Sequence, residues 1–151
     1  VNLLLELVRD AASKLDPDWD IEIHETHHKY KVDAPSGTAM ALGHAAAQGR
    51  SENPDSSTHD ALYNQATKEG PAFAFDRDGK RIDGEIGFAV SRGGDVVGEH
   101  AVTFYSQGER LELAHKATNR LLFAKGALKA ALWTKGKRNG LYSMRDVLGL
   151  N

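Results

Sequence analysis

The chain lacks cysteine altogether among its 151 residues. A disulfide framework or a thiolate metal site is therefore excluded, and a reducing compartment, the cytoplasm, is the expected location. Long hydrophobic runs are missing as well: none approaches the roughly 18 residues that span a bilayer, so no membrane partner is expected. Neither sign of charge is in large excess, since the formal net charge is −2. That balance argues against a nucleic-acid partner, because phosphate binding requires clustered lysine and arginine.

A Gly-x-Gly-x-x-Gly segment is also missing. The nearest approaches are residues 84–87, inside a predicted strand, and residues 93–98, in a predicted hairpin turn, and neither opens a helix. The chain is therefore predicted to carry no dinucleotide-binding fold of its own. It opens without Met, directly in an amphipathic helix pattern and without a basic leader, which predicts a missing upstream segment rather than a signal peptide.

What the chain does contain is typical of a globular domain, with 40% apolar and 26% charged residues. Helical spacing of apolar residues predicts a first helix through Leu4, Val8, Ala11 and Leu15. Residues 20–26 alternate, with Ile21 and Ile23 on one face, and predict a half-buried strand. Two further helices and three further strands are predicted at residues 38–48, 121–133, 84–91, 96–106 and 110–116.

Short turns join the last three predicted strands, which favours an antiparallel meander. Residues 51–57 are predicted to be a polar linker. Ser57 with Asp60, and Ser143 with Asp146, have the spacing of capping boxes that open short helices. The element order predicts an α+β fold in which helices pack on a mixed, mostly antiparallel sheet.

Residues 24–28, HETHH, match the zinc-protease pattern His-Glu-x-x-His. That pattern requires a helix, where residues four apart share a face and reach one metal. On a strand His24 and His28 would lie roughly 13 Å apart, at about 3.3 Å per residue. We therefore expect no metal site, and metal analysis of the purified protein would settle the zinc-hydrolase alternative.

Residues 27–38, HHKYKVDAPSGT, place basic groups ahead of a Ser-Gly-Thr that opens a helix. Unpaired N–H groups in a first helical turn favour anions, and Gly37 allows close approach to the backbone. With the Thr38 hydroxyl and the Lys31 charge they could hold a carboxylate or phosphate. His27 and His28 could exchange protons near neutral pH. Spacing alone equally allows surface histidines beside a plain helix cap.

Residues 27–39 resemble the signature of the dihydrodipicolinate reductases (4-hydroxy-tetrahydrodipicolinate reductases), His-His-x-x-Lys-x-Asp-x-Pro-Ser-Gly-Thr. Further segments match the family in order, and only residues 48–83 look individual. The matching segments are 87–89, 92–100 (RGGDVVGEH), 108–113 (GERLEL), 115–117 and 142–148 (YSMRDVL).

The resemblance implies a two-domain enzyme of lysine and diaminopimelate synthesis. An N-terminal Rossmann domain, absent here, would bind NADH or NADPH. This chain would bind a dicarboxylate substrate on a fold like the C-terminal domain of glyceraldehyde-3-phosphate dehydrogenase. Family roles carried over by motif make His27 and Lys31 catalytic and assign substrate binding to His28, Gly37 and Thr38.

The resemblance also implies a homotetramer built through the sheet and two regions within the chain. Residues 1–118 would bind substrate and form the oligomer, and residues 119–151 would pack on the absent cofactor domain. Arg120 and Phe123 resemble residues of that interdomain cleft. The isolated chain would then be inactive. The alternative is a non-catalytic oligomerising module that binds dicarboxylates, and the presence or absence of a Gly-rich strand-turn-helix upstream would discriminate the two.

Overall fold

A computed structural model describes residues 1–54, 73–75 and 77–150 of the chain. The elements of that part are, in order, α1 (Asn2–Lys14), β1 (Asp20–His27), α2 (Gly37–Glu52), β2 (Phe73–Ala74), β3 (Ile86–Arg92), β4 (Gly98–Ser106), β5 (Glu109–Ala117), α3 (Leu121–Trp133) and α4 (Met144–Leu148). No helix within the described ranges is both long and apolar enough to cross a membrane. The predicted capping box at Ser57 and Asp60 lies outside the described residues.

The strands form one mixed sheet in the order β2-β3-β1-β4-β5. β1 lies in the middle, parallel to β3 on one side and antiparallel to β4 on the other. β5 continues antiparallel to β4, and the short β2 runs parallel to β3. The α+β prediction, with helices on a mixed sheet, is confirmed.

The predicted three-strand meander is wrong in one pairing, because β3 does not pair with β4. β1 lies between them, and the connection from β3 to β4 passes over its end. There Gly93 N–H donates to the His27 carbonyl at 3.0 Å, and Lys29 N–H donates to the Gly94 carbonyl at 3.2 Å. Ile21 and Ile23 explain why β1 takes the central place. Both side chains are 1% exposed, a burial that an edge strand could not provide as readily.

Helices α1 and α2 cover one face of the sheet and enclose the core. Leu4, Val8 and Ala12 of α1 meet Leu42 and other residues of α2 above the apolar side chains of β1, β3 and β4. Ala12 is therefore the buried third position of α1, and the predicted Ala11 is only partly buried. The α1–α2 approach is close, since a Cβ on Gly49 would lie 2.2 Å from the Arg9 carbonyl oxygen.

α2 extends further than predicted, so Ser51 and Glu52 belong to the helix rather than to a polar linker. Arg9 of α1 holds the C-terminal end of α2 by donating to both carboxylate oxygens of Glu52, at 3.0 and 2.7 Å. The side chain of Asn53 then donates to the Leu15 carbonyl at 2.8 Å. These bonds fix the far end of α2 against α1, and thereby set where its N-terminus lies.

The final segment differs from the rest because its apolar side chains are exposed. α3 has no buried residue, and Leu121, Leu128 and Leu132 are 61%, 62% and 67% exposed. The predicted helix is confirmed, but the leucines of its apolar stripe are exposed rather than buried against the rest of the described chain. The capping box of Ser143 and Asp146 at the start of α4 is confirmed as well.

Candidate functional site

The carboxyl end of β1 carries a buried carboxylate next to a histidine. Alternation along the strand places Glu25 on the side of Ile21 and Ile23, and Glu25 is 1% exposed. Its Oε2 lies 2.5 Å from Nδ1 of His27, the last residue of the strand. The first of the predicted catalytic residues is therefore held by a neighbour on its own strand.

Arg92, the last residue of β3, neutralises Glu25. Its guanidinium donates to both carboxylate oxygens, at 2.8 and 2.9 Å, in a bidentate pair. Burial alone would raise the pKa of Glu25, but the hydrogen bonds from Arg92, His27 and Ser36 outweigh it and lower that pKa below its usual value. Glu25 is therefore an ionised carboxylate inside the fold.

The same guanidinium connects this pair to the second predicted catalytic residue. Arg92 donates to the Asp33 carbonyl at 2.6 Å, and Lys31 Nζ lies 2.7 Å from the Asp33 carboxylate. The hydrogen bond from Lys31 lowers the pKa of Asp33. One continuous set of contacts thus runs from His27 through Glu25 and Arg92 to the loop that carries Lys31.

The N-terminus of α2 is fixed to the same carboxylate. Ser36 is the N-cap: its Oγ accepts from Ala39 N–H at 3.1 Å, and its own N–H donates to Glu25 Oε1 at 2.9 Å. Gly37 and Thr38 follow in the first turn. Their N–H groups have no partner among the described residues, and a Cβ on Gly37 would meet open space. This turn can therefore donate to an anion.

His100 of β4 packs against both His27 and Ser36. It is directly opposite Glu25 in the sheet and only 5% exposed, and its Nε2 lies 3.0 Å from Ser36 Oγ. Its ring stands edge-on to His27, with centroids 5.0 Å apart. Burial, and after it the neighbouring His27, lower the pKa of His100 to about 4. His100 is thus a neutral packing partner near pH 7.

His28, the first residue beyond β1, is half-buried and outside this network. Its ring centroid is 6.5 Å from that of Tyr30. Its Nδ1 is buried and has no hydrogen-bond partner among the described residues. A buried ring nitrogen without a partner is costly, and no contact within the described residues offsets that cost.

The His-Glu-x-x-His pattern lies on strand β1 and its exit rather than on a helix. His24 is exposed and pairs in register with Ala89 and Ala101, on the face away from Glu25. Within residues 1–54, 73–75 and 77–150, no group of three or more metal-ligating side chains comes together.

The predicted cleft residues lie apart from the cluster. Arg120 is the exposed N-cap position of α3, and Phe123 is 51% exposed one turn further on. Neither makes a contact with His27 or Lys31. The structure therefore brings together the ends of β1 and β3, the start of β4 and the start of α2, and leaves α3 outside.

Sequence reasoning missed Glu25, Arg92 and His100 as members of the site, and it anticipated Ser36 only as part of the Ser-Gly-Thr that opens α2. A signal for Glu25 was present, because it continues the buried alternation of Ile21 and Ile23. A carboxylate on a buried face requires a cationic partner. Arg92 lies just beyond the predicted strand at residues 84–91, and no local pattern connects it with Glu25, 67 positions away.

Comparisons with known proteins identify the family of this chain. The sequence model of the family "Dihydrodipicolinate reductase, C-terminus" matches residues 1–148. The 4-hydroxy-tetrahydrodipicolinate reductase of Methylocella silvestris is 56% identical over 150 residues, covering 99% of this chain and 51% of that protein. That of Zymomonas mobilis is 52% identical, covering 99% and 54%. The chain thus spans about half the length of these curated relatives.

Among solved structures, the dipicolinate-bound dihydrodipicolinate reductase from Paenisporosarcina sp. TG-14 has a TM-score of 0.57 at 24% sequence identity. The match covers 83% of this chain and 42% of that one. At this identity the likeness establishes a shared fold. Together with the family match and the relatives above 50% identity, it leads to one assignment: the chain belongs to the dihydrodipicolinate reductase family, in the part of the sequence that forms the C-terminus of those enzymes.

Proposed function

We propose that this chain is the substrate-binding and catalytic part of a 4-hydroxy-tetrahydrodipicolinate reductase. The full-length enzyme would also contain an N-terminal domain that binds NADH or NADPH, and it would act in lysine and diaminopimelate synthesis in the cytoplasm. The observation that carries the proposal is the single network that joins His27, the Lys31 loop and the first turn of α2 through Glu25 and Arg92.

The substrate would be a cyclic dicarboxylate. One carboxylate would accept from the N–H groups of Gly37 and Thr38 and from the Thr38 hydroxyl, at the positive end of the helix. Lys31 would neutralise it with a full charge, exchanging Asp33 for the ligand. His28, which follows His27 at the end of β1 and is half-buried, would also contact the substrate. The dipicolinate bound to the related enzyme from Paenisporosarcina has this chemistry.

His27 would act as the general acid, because an imidazole exchanges protons near the working pH. The nicotinamide, when bound, supplies a hydride to a ring carbon of the substrate. His27 would protonate the neighbouring carbon, while Lys31 stabilises developing negative charge and assists the loss of water. Glu25 cannot take this role, since Arg92 and the Ser36 N–H keep it ionised.

Residues 119–151 would form the surface for the cofactor domain, with Arg120 and Phe123 at the cleft. The exposed leucines of α3 support this, since contiguous exposed apolar residues often mark an interaction surface. A homotetramer would form through the sheet face opposite α1 and α2. Small residues, Ala89, Ala101 and Ala114, lie on that face next to His24.

The proposal is tested by comparing the chain alone with the full-length enzyme. We expect the full-length enzyme to oxidise NADH or NADPH in the presence of substrate. The chain alone should show neither this activity nor low-micromolar NADH binding by calorimetry, yet should bind dipicolinate weakly. If the full-length enzyme bound dipicolinate but never oxidised the cofactor, the alternative of a non-catalytic dicarboxylate-binding module would replace this proposal.

A further inference from the structure

The carboxylate of Glu25 has hydrogen-bond partners on β1, on β3 and at the N-cap of α2. Arg92 donates to each of its oxygens, Ser36 N–H donates to Oε1, and His27 Nδ1 lies 2.5 Å from Oε2. An ionised carboxylate only accepts hydrogen bonds. In its contact with Glu25 Oε2, His27 Nδ1 must therefore be the hydrogen-bond donor. The single ring proton of the neutral imidazole is thus on Nδ1.

The other ring nitrogen of His27 faces a glycine. A Cβ on Gly98 would lie 3.0 Å from His27 Nε2 and 3.3 Å from its Cδ2. The φ of Gly98 is outside the left-handed range, so the backbone does not require glycine at this position. What glycine provides is space, because any larger residue would press on Nε2.

The plane of the His27 ring is fixed as well. His100 packs edge-on against it at 73° between the ring planes, and Ser36 Oγ contacts His100 Nε2. With Nδ1 held by Glu25 on one side and the ring face held by His100, the direction of Nε2 is determined by residues of β1, β4 and α2.

We propose that Glu25 is a positioning residue for His27: it fixes the proton of the neutral ring on Nδ1, so that Nε2 is the atom that gives up and regains the proton. Arg92 keeps Glu25 ionised and in place, and the lack of a side chain at Gly98 leaves Nε2 accessible. The direction of proton transfer rests on the proposed function. The position of the ring proton does not, since it follows from the contacts alone.

The ring proton can be located directly by NMR of this chain with ¹⁵N-labelled histidine, because protonated and bare ring nitrogens have widely separated chemical shifts. His27→Gln identifies the His27 signals. At a pH where the ring is neutral, we expect Nδ1 to be protonated and Nε2 bare. A His27 ring with Nε2 protonated and Nδ1 bare overturns the proposal without any variant at Glu25.

Glu25→Gln then tests the cause. An amide can donate as well as accept, so the Nε2-protonated form should become populated in this variant. Glu22→Gln is the matched control. It makes the same change on the same strand, but Glu22 pairs with Arg77 and Arg81 on the other face of the sheet. Unchanged His27 shifts in a folded Glu25→Gln protein would show that Glu25 does not fix the ring.

Activity of the full-length enzyme separates this inference from the proposed function. Glu25→Gln should lower kcat by at least about tenfold, and by up to about 10⁴-fold if the ring is held mainly as the other tautomer, with little change in KM. Wild-type kcat in a variant whose His27 proton has moved would refute the positioning role and leave the reductase assignment intact. A wild-type enzyme without reductase activity would refute the assignment, and the NMR result would still stand.

Discussion

The Nε2 atom of His100 lies 3.0 Å from the Oγ of Ser36, joining the middle of the sheet to the N-cap of α2. The contact is buried, and Ser36 also donates to Glu25. Because the N-cap carries the first turn of α2, this pair of residues determines where Gly37 and Thr38 lie relative to His27. The turn that we propose binds substrate is thereby attached to buried residues of the sheet.

Burial of His100 predicts a loss of stability in mild acid. The pKa of His100 is about 4 in the folded chain and near 6.5 in the unfolded one, so the unfolded chain binds more protons between these values. The free energy of unfolding should therefore fall as pH decreases from 6.5 toward 4. We expect protonation of this residue to lower the free energy of unfolding by about 2 kcal/mol, after a discount for solvent screening.

Urea unfolding at pH 7.5 and pH 5 measures this effect. His100→Gln should reduce the difference between the two pH values, and His44→Gln, at an exposed position of α2, should leave it unchanged. Burial also lowers the pKa of His115, which contributes in the same direction. Part of the difference should therefore remain in His100→Gln. An equal effect of both substitutions would contradict the prediction.

Close packing of α1 on α2 predicts that Gly49→Ala is destabilising. The new Cβ would lie 2.2 Å from the Arg9 carbonyl oxygen and 2.8 Å from the Ala12 Cβ. Overpacking of this kind costs about 1–3 kcal/mol, which exceeds the gain of about 1 kcal/mol from replacing helical glycine by alanine. Gly126→Ala in α3 is the control, because a Cβ there meets nothing within 4 Å. Thermal unfolding should show a lower midpoint for Gly49→Ala alone.

The space beside His27 predicts that Gly98→Ala impairs catalysis. A methyl group 3.0 Å from His27 Nε2 should displace the ring or block its access to substrate, lowering kcat of the full-length enzyme by at least about tenfold. Gly93→Ala is the matched control and should leave kcat unchanged, since Gly93 lies in the connection between β3 and β4 and a Cβ there meets open space. Normal kcat in Gly98→Ala would mean that His27 Nε2 does not face the reaction.

The uncovered face of the sheet predicts association of chains. Light scattering of the protein at micromolar concentration should give a mass near four chains. Ala114→Lys should shift it toward one chain, because Ala114 is exposed on that face and a charge there would be buried in the tetramer. Gln107→Lys, at the exposed β4–β5 turn, adds the same charge elsewhere. A clean monomer for the wild-type chain would contradict the prediction.

Much of the secondary structure was predictable from the sequence, because apolar periodicity is a local property. The helices containing Val8 and Leu128 and the strands containing Ile23 and Phe104 all lie where the patterns indicate. Strand order was not predictable in the same way. A short connection after Arg92 is typical of a hairpin, and only the fold reveals that β1 lies between β3 and β4.

The site was predictable where its residues are adjacent in sequence. His27, Lys31 and Thr38 belong to one short motif. Their supporting partners, Arg92 and His100, come from other strands and meet the motif only after the sheet has formed. Glu25 is an intermediate case: its burial followed from the alternation of the strand, but its role became evident only once the fold placed Arg92 beside it.

The catalytic role of His27 is central to the proposed function, and steady-state kinetics of the full-length enzyme test it. His27→Gln should lower kcat by about 10²- to 10⁴-fold with KM little changed, the usual contribution of general acid catalysis. Lys31→Ala should raise KM as well as lower kcat, and His28→Gln should act mainly on KM. If His27→Gln kept near-normal kcat while His28→Gln abolished it, the two histidines would have been assigned the wrong way round.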